Sequence, residues 1–214
     1  MSNTQPIRRT PVQGRSQETV QKVLAAASVL LAAGRAVEML TTAGIAAAAR
    51  VSVGALYRFF PDKQAIVDAI ALSHMERFQE AMATRLMLAF PPDPAAFLAA
   101  ILDAFAEYLA AHPDFRTVAF GGSGAFGGSG GGRHVSRPTR DAYAGSGEVS
   151  EMVRSLITEA YGVEITEAFE LRLRVAIEIG DRLIGFAFEQ HGAPARAAVL
   201  GEAKRILTMT LFAP

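Results

Sequence analysis

Cysteine is absent from the 214-residue chain. That excludes disulfides and thiolate chemistry and fits a reducing cytoplasm, where the protein is expected to work. No stretch approaches the roughly 18 uninterrupted apolar residues that cross a membrane. Residues 1–15 are polar, carry Arg8, Arg9 and Arg15, and lack the apolar core of a secretory leader, so neither a leader nor a membrane partner is expected. Catalytic patterns are missing too. The four histidines, His74, His112, His134 and His191, stand far apart without a ligand-spaced H-E-x-x-H pair. The serines lack the G-x-S-x-G setting of a nucleophile on a strand-to-helix turn. No metal, no cofactor and no enzymatic activity are expected.

Net charge is also lacking, with 21 basic and 21 acidic side chains, but the balance is uneven along the chain. Residues 1–64 hold eight basic side chains against three acidic, a net of +5; the remainder holds 13 against 18, a net of −5. A basic head on an acidic body is the footprint of a nucleic-acid-binding segment joined to a second function. Half of the residues are apolar and mean hydropathy is +0.23, enough for a sizeable core.

The most informative stretch runs from Thr41 to Lys63, TTAGIAAAARVSVGALYRFFPDK. Thr41 is placed to cap a helix over residues 42–49, whose Ile45, Ala46 and Ala49 are small and apolar. Ser52 repeats the cap for a helix over residues 53–60, in which Val53, Leu56 and Phe60 share one face at i, i+3 and i+7. Gly54, Ala55, Tyr57 and Arg58 fall on the other face. Pro61 ends that helix and Asp62 caps the next. Helix, tight turn, helix is the geometry that lays a second helix in the DNA major groove.

This stretch resembles the N-terminal DNA-binding domain of the TetR family of one-component transcriptional regulators. The resemblance rests on Thr41, Ile45-Ala46, Ala49, Val51-Ser52, Gly54-Ala55-Leu56-Tyr57, Phe59-Phe60 and Asp62-Lys63. The family usually has glycine where this chain has Arg50, and a shorter spacing from Gly34 to the first of the two helices. The resemblance implies an all-α protein: a three-helix helix-turn-helix domain followed by a helical bundle that binds ligand and forms a homodimer through its two C-terminal helices. It implies that Val53, Gly54, Ala55, Tyr57, Arg58 and Lys63 face double-stranded operator DNA. Tyr57 and Lys63 would then hold phosphates, Gly54 and Ala55 would admit the helix backbone deep into the groove, and Val53 and Ala55 would touch thymine methyls. Arg58 is the one long donor able to read guanine. Arg50, in the turn, is an added phosphate candidate, and Thr41 and Ser52 combine capping with phosphate contact.

Residues 1–15 read as a disordered basic arm, 16–63 as the helix-turn-helix domain and 64–214 as the ligand-binding and dimerisation domain. Val20, Val23, Leu24, Ala27 and Leu31 mark a bracing helix from Ser16 to near Gly34, which Arg35–Leu40 would extend in an alternative reading. A long helix from Asp62 towards Phe90 is stopped by Pro91-Pro92-Asp93-Pro94. Further helices follow over residues 94–111, 114–120, 148–161, 166–190 and 194–211. Between them lies Gly121–Arg133, GGSGAFGGSGGGR, which lacks the Gly-Lys-Ser/Thr ending of a phosphate loop and reads as a flexible Gly-rich linker over 121–132. Phe78, Met82, Phe105, Tyr108, Phe115 and Phe169 come from several of these helices and suggest a mostly apolar pocket. The reading that follows is a repressor released from a palindromic operator by a small, largely apolar effector. An activator, a regulator without a ligand, and a helical ligand-binding or interaction module remain open alternatives.

Overall fold

The computed structural model describes residues 14–120 and 148–212, which form helices and turns with no strand among them. In order these are α1 (Gly14–Ala32), a 3₁₀ turn (Val37–Met39), α2 (Thr42–Ala49), α3 (Val53–Tyr57), α4 (Lys63–Leu88), α5 (Pro94–Ala111), α6 (Pro113–Phe120), α7 (Glu148–Tyr161), α8 (Glu167–Glu189) and α9 (Ala193–Phe212). The all-α expectation therefore holds. The Gly-rich stretch 121–132 and nearly all of the N-terminal arm lie outside the described residues.

Helix α1 ends near Gly34 as read, and the alternative extension through Arg35–Leu40 does not form: Gly34 takes φ +84° and closes the helix, and the longer spacing to α2 is filled by the 3₁₀ turn. That turn buries Val37 and Leu40, so the extra residues are part of the core. One boundary differs from the sequence reading: α3 ends at Tyr57 instead of residue 60. The N–H groups of Phe59 and Phe60 both donate to the Leu56 carbonyl at 3.0 Å. This tight closure swings Phe59 and Phe60 into the core, where they are 4% and 0% exposed.

The chain divides into two compact units, a head comprising residues up to Glu76 together with Leu109–Thr139, and a body comprising Arg77–Tyr108 and Arg140–Pro214. The expected division at residue 63 falls at the first residue of α4; the units part thirteen residues later, between Glu76 and Arg77. The reason is packing. Ala65, Ile66, Val67, Ala69, Ile70 and Ala71 of α4 are buried in one cluster with Val20, Val23, Ala27 and Leu31 of α1, Ile45 of α2, Leu56 of α3 and Val118 of α6. The Thr117 hydroxyl donates to the Leu31 carbonyl at 3.2 Å and to the Pro113 carbonyl at 3.0 Å. It thus serves a helix-end carbonyl of α1 that has no partner within its own helix.

In the body, α8 lies along α9, with Leu173, Ala176 and Ile184 buried on one helix and Ala203, Leu207 and Leu211 on the other. A Cβ at Gly180 would stand 3.3 Å from Leu207 Cδ1, so the missing side chain is what permits this approach. Met82, Leu86, Phe97 and Ile157 form a second cluster, and the Tyr161 hydroxyl donates to the Pro91 carbonyl at 2.8 Å. Helix α5 is the one described helix long and apolar enough to cross a membrane. Its charged residues are nonetheless paired within the body, Asp103 with Lys204 and Glu107 with Arg85.

Candidate nucleic-acid interface and ligand chamber

Three local devices fix the head's α2–turn–α3 segment. The Thr41 hydroxyl accepts from the Gly44 N–H at 3.0 Å, and Ser52 Oγ accepts from the Ala55 N–H at 3.1 Å. Both caps satisfy amides that a helix start leaves unpaired. Between them the chain turns in a Schellman closure. The Arg50 N–H reaches the Ala47 carbonyl at 3.2 Å and the Val51 N–H reaches Ala46 at 3.0 Å. Arg50 holds φ 56°, ψ 41° and is the one non-glycine residue with positive φ among those described. The turn therefore demands the left-handed conformation that glycine adopts without strain, and here arginine bears it.

Of α3, Leu56 is fully buried, whereas Val53 is 41% and Tyr57 44% exposed. The expected buried face is corrected accordingly. Leu56 and Phe60 belong to the core and Val53 does not, because the helix closes before residue 60. Gly54 and Arg58 are exposed and Ala55 is half-buried. A Cβ built on Gly54 meets nothing within 4 Å. No packing inside the head calls for glycine there, in contrast to Gly44, whose Cβ would come within 3.0 Å of Thr41 Oγ1. The result is a short helix with one nearly bare backbone face, edged by a phenol and a guanidinium. Arg58 sits with its guanidinium carbon 5.5 Å from the Phe59 ring centroid.

Neighbouring side chains are held by contacts the sequence pattern did not reveal. The Tyr57 hydroxyl lies 3.0 Å from Thr42 Oγ1, so the phenol is anchored to the start of α2. Lys63 Nζ donates to the carbonyls of Val37 at 3.1 Å and Glu38 at 2.8 Å. Its ammonium neutralises the carbonyl end of the 3₁₀ turn, which places it in a bracing position next to the expected DNA face. Thr41, Arg50 and Ser52 are exposed around the same turn. Neither Thr42 nor the two carbonyls carries a motif, and both contacts depend on where the turns bring the chain.

Deeper in the head, His74 is 4% exposed, and its Nε2 lies 3.0 Å from Asp114 Oδ2. Phe115 stacks on the imidazole at 5.0 Å between centroids. Burial by itself raises the Asp114 carboxyl, but hydrogen bonds from His74, the Phe115 N–H and Ser28 outweigh it and bring the pKa down to about 2. This pair joins α4 to α6 inside the head.

The body carries a partly open cavity of about 170 Å³. Its walls are Phe78 of α4, Leu98, Ile101, Leu102 and Phe105 of α5, six residues of α8 from Leu173 to Ile184, and Leu207 and Leu211 of α9. Two of the pocket residues expected from sequence, Phe78 and Phe105, line it. The other four do not. Met82 belongs to the cluster around Phe97, and Tyr108 meets Phe78 edge-on at 5.5 Å from outside the lining. Phe169 packs near Phe212 at 6.5 Å, and Phe115 is in the head against His74. Most of the chamber wall is aliphatic. Asp181, the one charged residue in the lining, interrupts an otherwise apolar stripe of α8 and was the available signal.

A capped helix-turn-helix in a basic head, followed by an all-α body with a cavity of its own, is the arrangement of a helix-turn-helix DNA-binding protein. The sequence profile of bacterial regulatory proteins of the tetR family matches residues 23–70. The solved structure of a TetR-family transcriptional regulator from Streptomyces coelicolor superposes with a TM-score of 0.65 at 25% identity, covering 92% of this chain and 97% of that one. No curated relative matches. The head thus matches the tetR-family profile, and the whole chain has the fold of a TetR-family DNA-binding regulator.

Proposed function

We propose that the protein is a cytoplasmic transcriptional repressor that binds a near-palindromic operator as a homodimer, one α3 in each of two successive major grooves, and that a small, largely apolar ligand releases it. The observation that carries this reading is the exposed face of α3. Gly54 has open space at its Cβ, a feature that costs helix stability and benefits only a partner that must come close to the backbone. Beside it, Arg58 would read a guanine edge and Tyr57, steadied by Thr42, would hold a phosphate. Arg50, Ser52 and Thr41 would complete the backbone contacts.

Dimerisation would use α8 and α9, where Leu171, Val175 and Met209 are 56%, 42% and 55% exposed. Helices α4 and α5 both contribute residues to both units, and α4, which runs on directly from the helix-turn-helix, is the route by which ligand in the body would act on the head. Release requires the ligand to prefer the arrangement that does not fit DNA, because equal affinity for both arrangements shifts nothing. The test compares operator with a scrambled duplex. Arg58→Ala should erode the discrimination by about 1–3 kcal/mol, and undiminished discrimination would show that α3 is not the reading element.

A further inference from the structure

The cavity in the body restricts what can enter it more narrowly than the proposed release function requires. Its wall consists of leucine, isoleucine, phenylalanine, alanine and glycine, with Asp181 the one lining residue that has a polar side chain. Asp181 already interacts within the fold, and the wall offers no side-chain donor beside it. The α5 and α8 backbone that forms most of the wall is hydrogen-bonded within its own helices. The space itself is left by small residues. Ala176 and Gly180 lie one turn apart on α8 and both line the cavity. A Cβ at Gly180 would stand 3.3 Å from Leu207 Cδ1 on the facing helix.

Resting on the reading of this cavity as the effector site, we infer that its ligand is a neutral hydrocarbon about one ring in size, without a hydrogen-bonding group. The volume of about 170 Å³ is close to the ~150 Å³ of an apolar cavity, lined by the same Leu, Ile and Phe side chains, that binds benzene. Chemistry narrows the class further. A hydroxyl or amine on the ligand would give up its water and find no partner on this wall, a loss that offsets the burial of the ring. A methyl group in the same place gains contact on every side. Specificity therefore comes from rejection of polar isosteres more than from attraction to any one group.

Toluene, phenol and aniline match one another in shape and are all uncharged at neutral pH, so they differ only in the hydrogen-bonding group. Calorimetric titration of the full-length protein in a sealed cell should show toluene bound about tenfold or more tighter than phenol or aniline. Ala176→Phe and Ile177→Trp fill the cavity from two positions and should each abolish toluene binding, with a cooperative melting transition reporting an intact fold. Phenol or aniline bound as tightly as toluene would overturn the hydrocarbon assignment while the cavity stands as a ligand site. If none of the three binds, or if both filled variants bind toluene as wild type does, the cavity is overturned as a ligand site as well. Toluene bound in the cavity without loss of operator affinity would support the hydrocarbon assignment and count against the release function alone.

Discussion

Gly54 carries the sharpest conflict between stability and function at the scale of single residues. Alanine at this position meets no neighbour and favours the helix by about 0.5–1 kcal/mol. Gly54→Ala is expected to raise the melting temperature while weakening operator binding about tenfold or more, ~1.4 kcal/mol. Thermal denaturation and fluorescence anisotropy on the same preparations read both effects; unchanged operator affinity would remove the argument from close approach. Asp114 gives a pH-dependent expectation. Its folded pKa of about 2 lies below the ordinary carboxylate value near 3.9. Its contribution to stability is therefore full above pH ~4 and is lost as the pH falls through the folded value. Asp114→Asn should be less stable than wild type at neutral pH, with the gap narrowing towards pH 2. A gap that is constant with pH would mean that the carboxylate's charge does not matter.

Among the elements, the turn between α2 and α3 sets how the reading helix is presented. Arg50 sits in the left-handed region at φ 56°, a conformation that costs a non-glycine residue of the order of 1 kcal/mol. Arg50→Gly should leave the turn intact and stabilise the head by up to about 1 kcal/mol. If the guanidinium holds a phosphate, the salt dependence of DNA binding should fall by about one unit of slope. Destabilisation by the glycine variant would show that Arg50 makes contacts in the head that outweigh its backbone strain. Helix positions were largely legible in the sequence because caps and prolines are local. Thr41, Ser52 and Asp62 cap as expected, with Asp62 Oδ1 accepting from Ala65 N–H at 2.8 Å, and Thr166 Oγ1 likewise accepts from Phe169 N–H at 3.2 Å. Less legible were the features set by tertiary packing. The 3₁₀ turn at Val37–Met39 has no periodicity of its own, and Lys63 reaches it from 25 residues away at Glu38. The chamber wall was missed for a related reason. Its aliphatic residues resemble ordinary core in any periodic reading, and only an acidic residue out of pattern, Asp181, distinguishes that face of α8.

For the whole molecule, the charge division of the sequence matches a division of labour. The basic segment supplies the head with its exposed α3, and the apolar helices of the body supply a chamber and two long helices with exposed apolar residues. The head extends past the helix-turn-helix into α4 and takes in α6, so the first half of α4 is part of the DNA-binding unit. Any ligand effect passing along α4 would act on a helix rooted in that core, not on a linker. Selection of bound duplexes from a random DNA pool, at near-physiological salt, tests the central claim most directly. A dimeric regulator predicts an enriched palindrome with half-sites about 10 base pairs apart, or a multiple of that spacing. No enriched motif, from protein shown to be folded and dimeric, would contradict sequence-specific operator binding by α3.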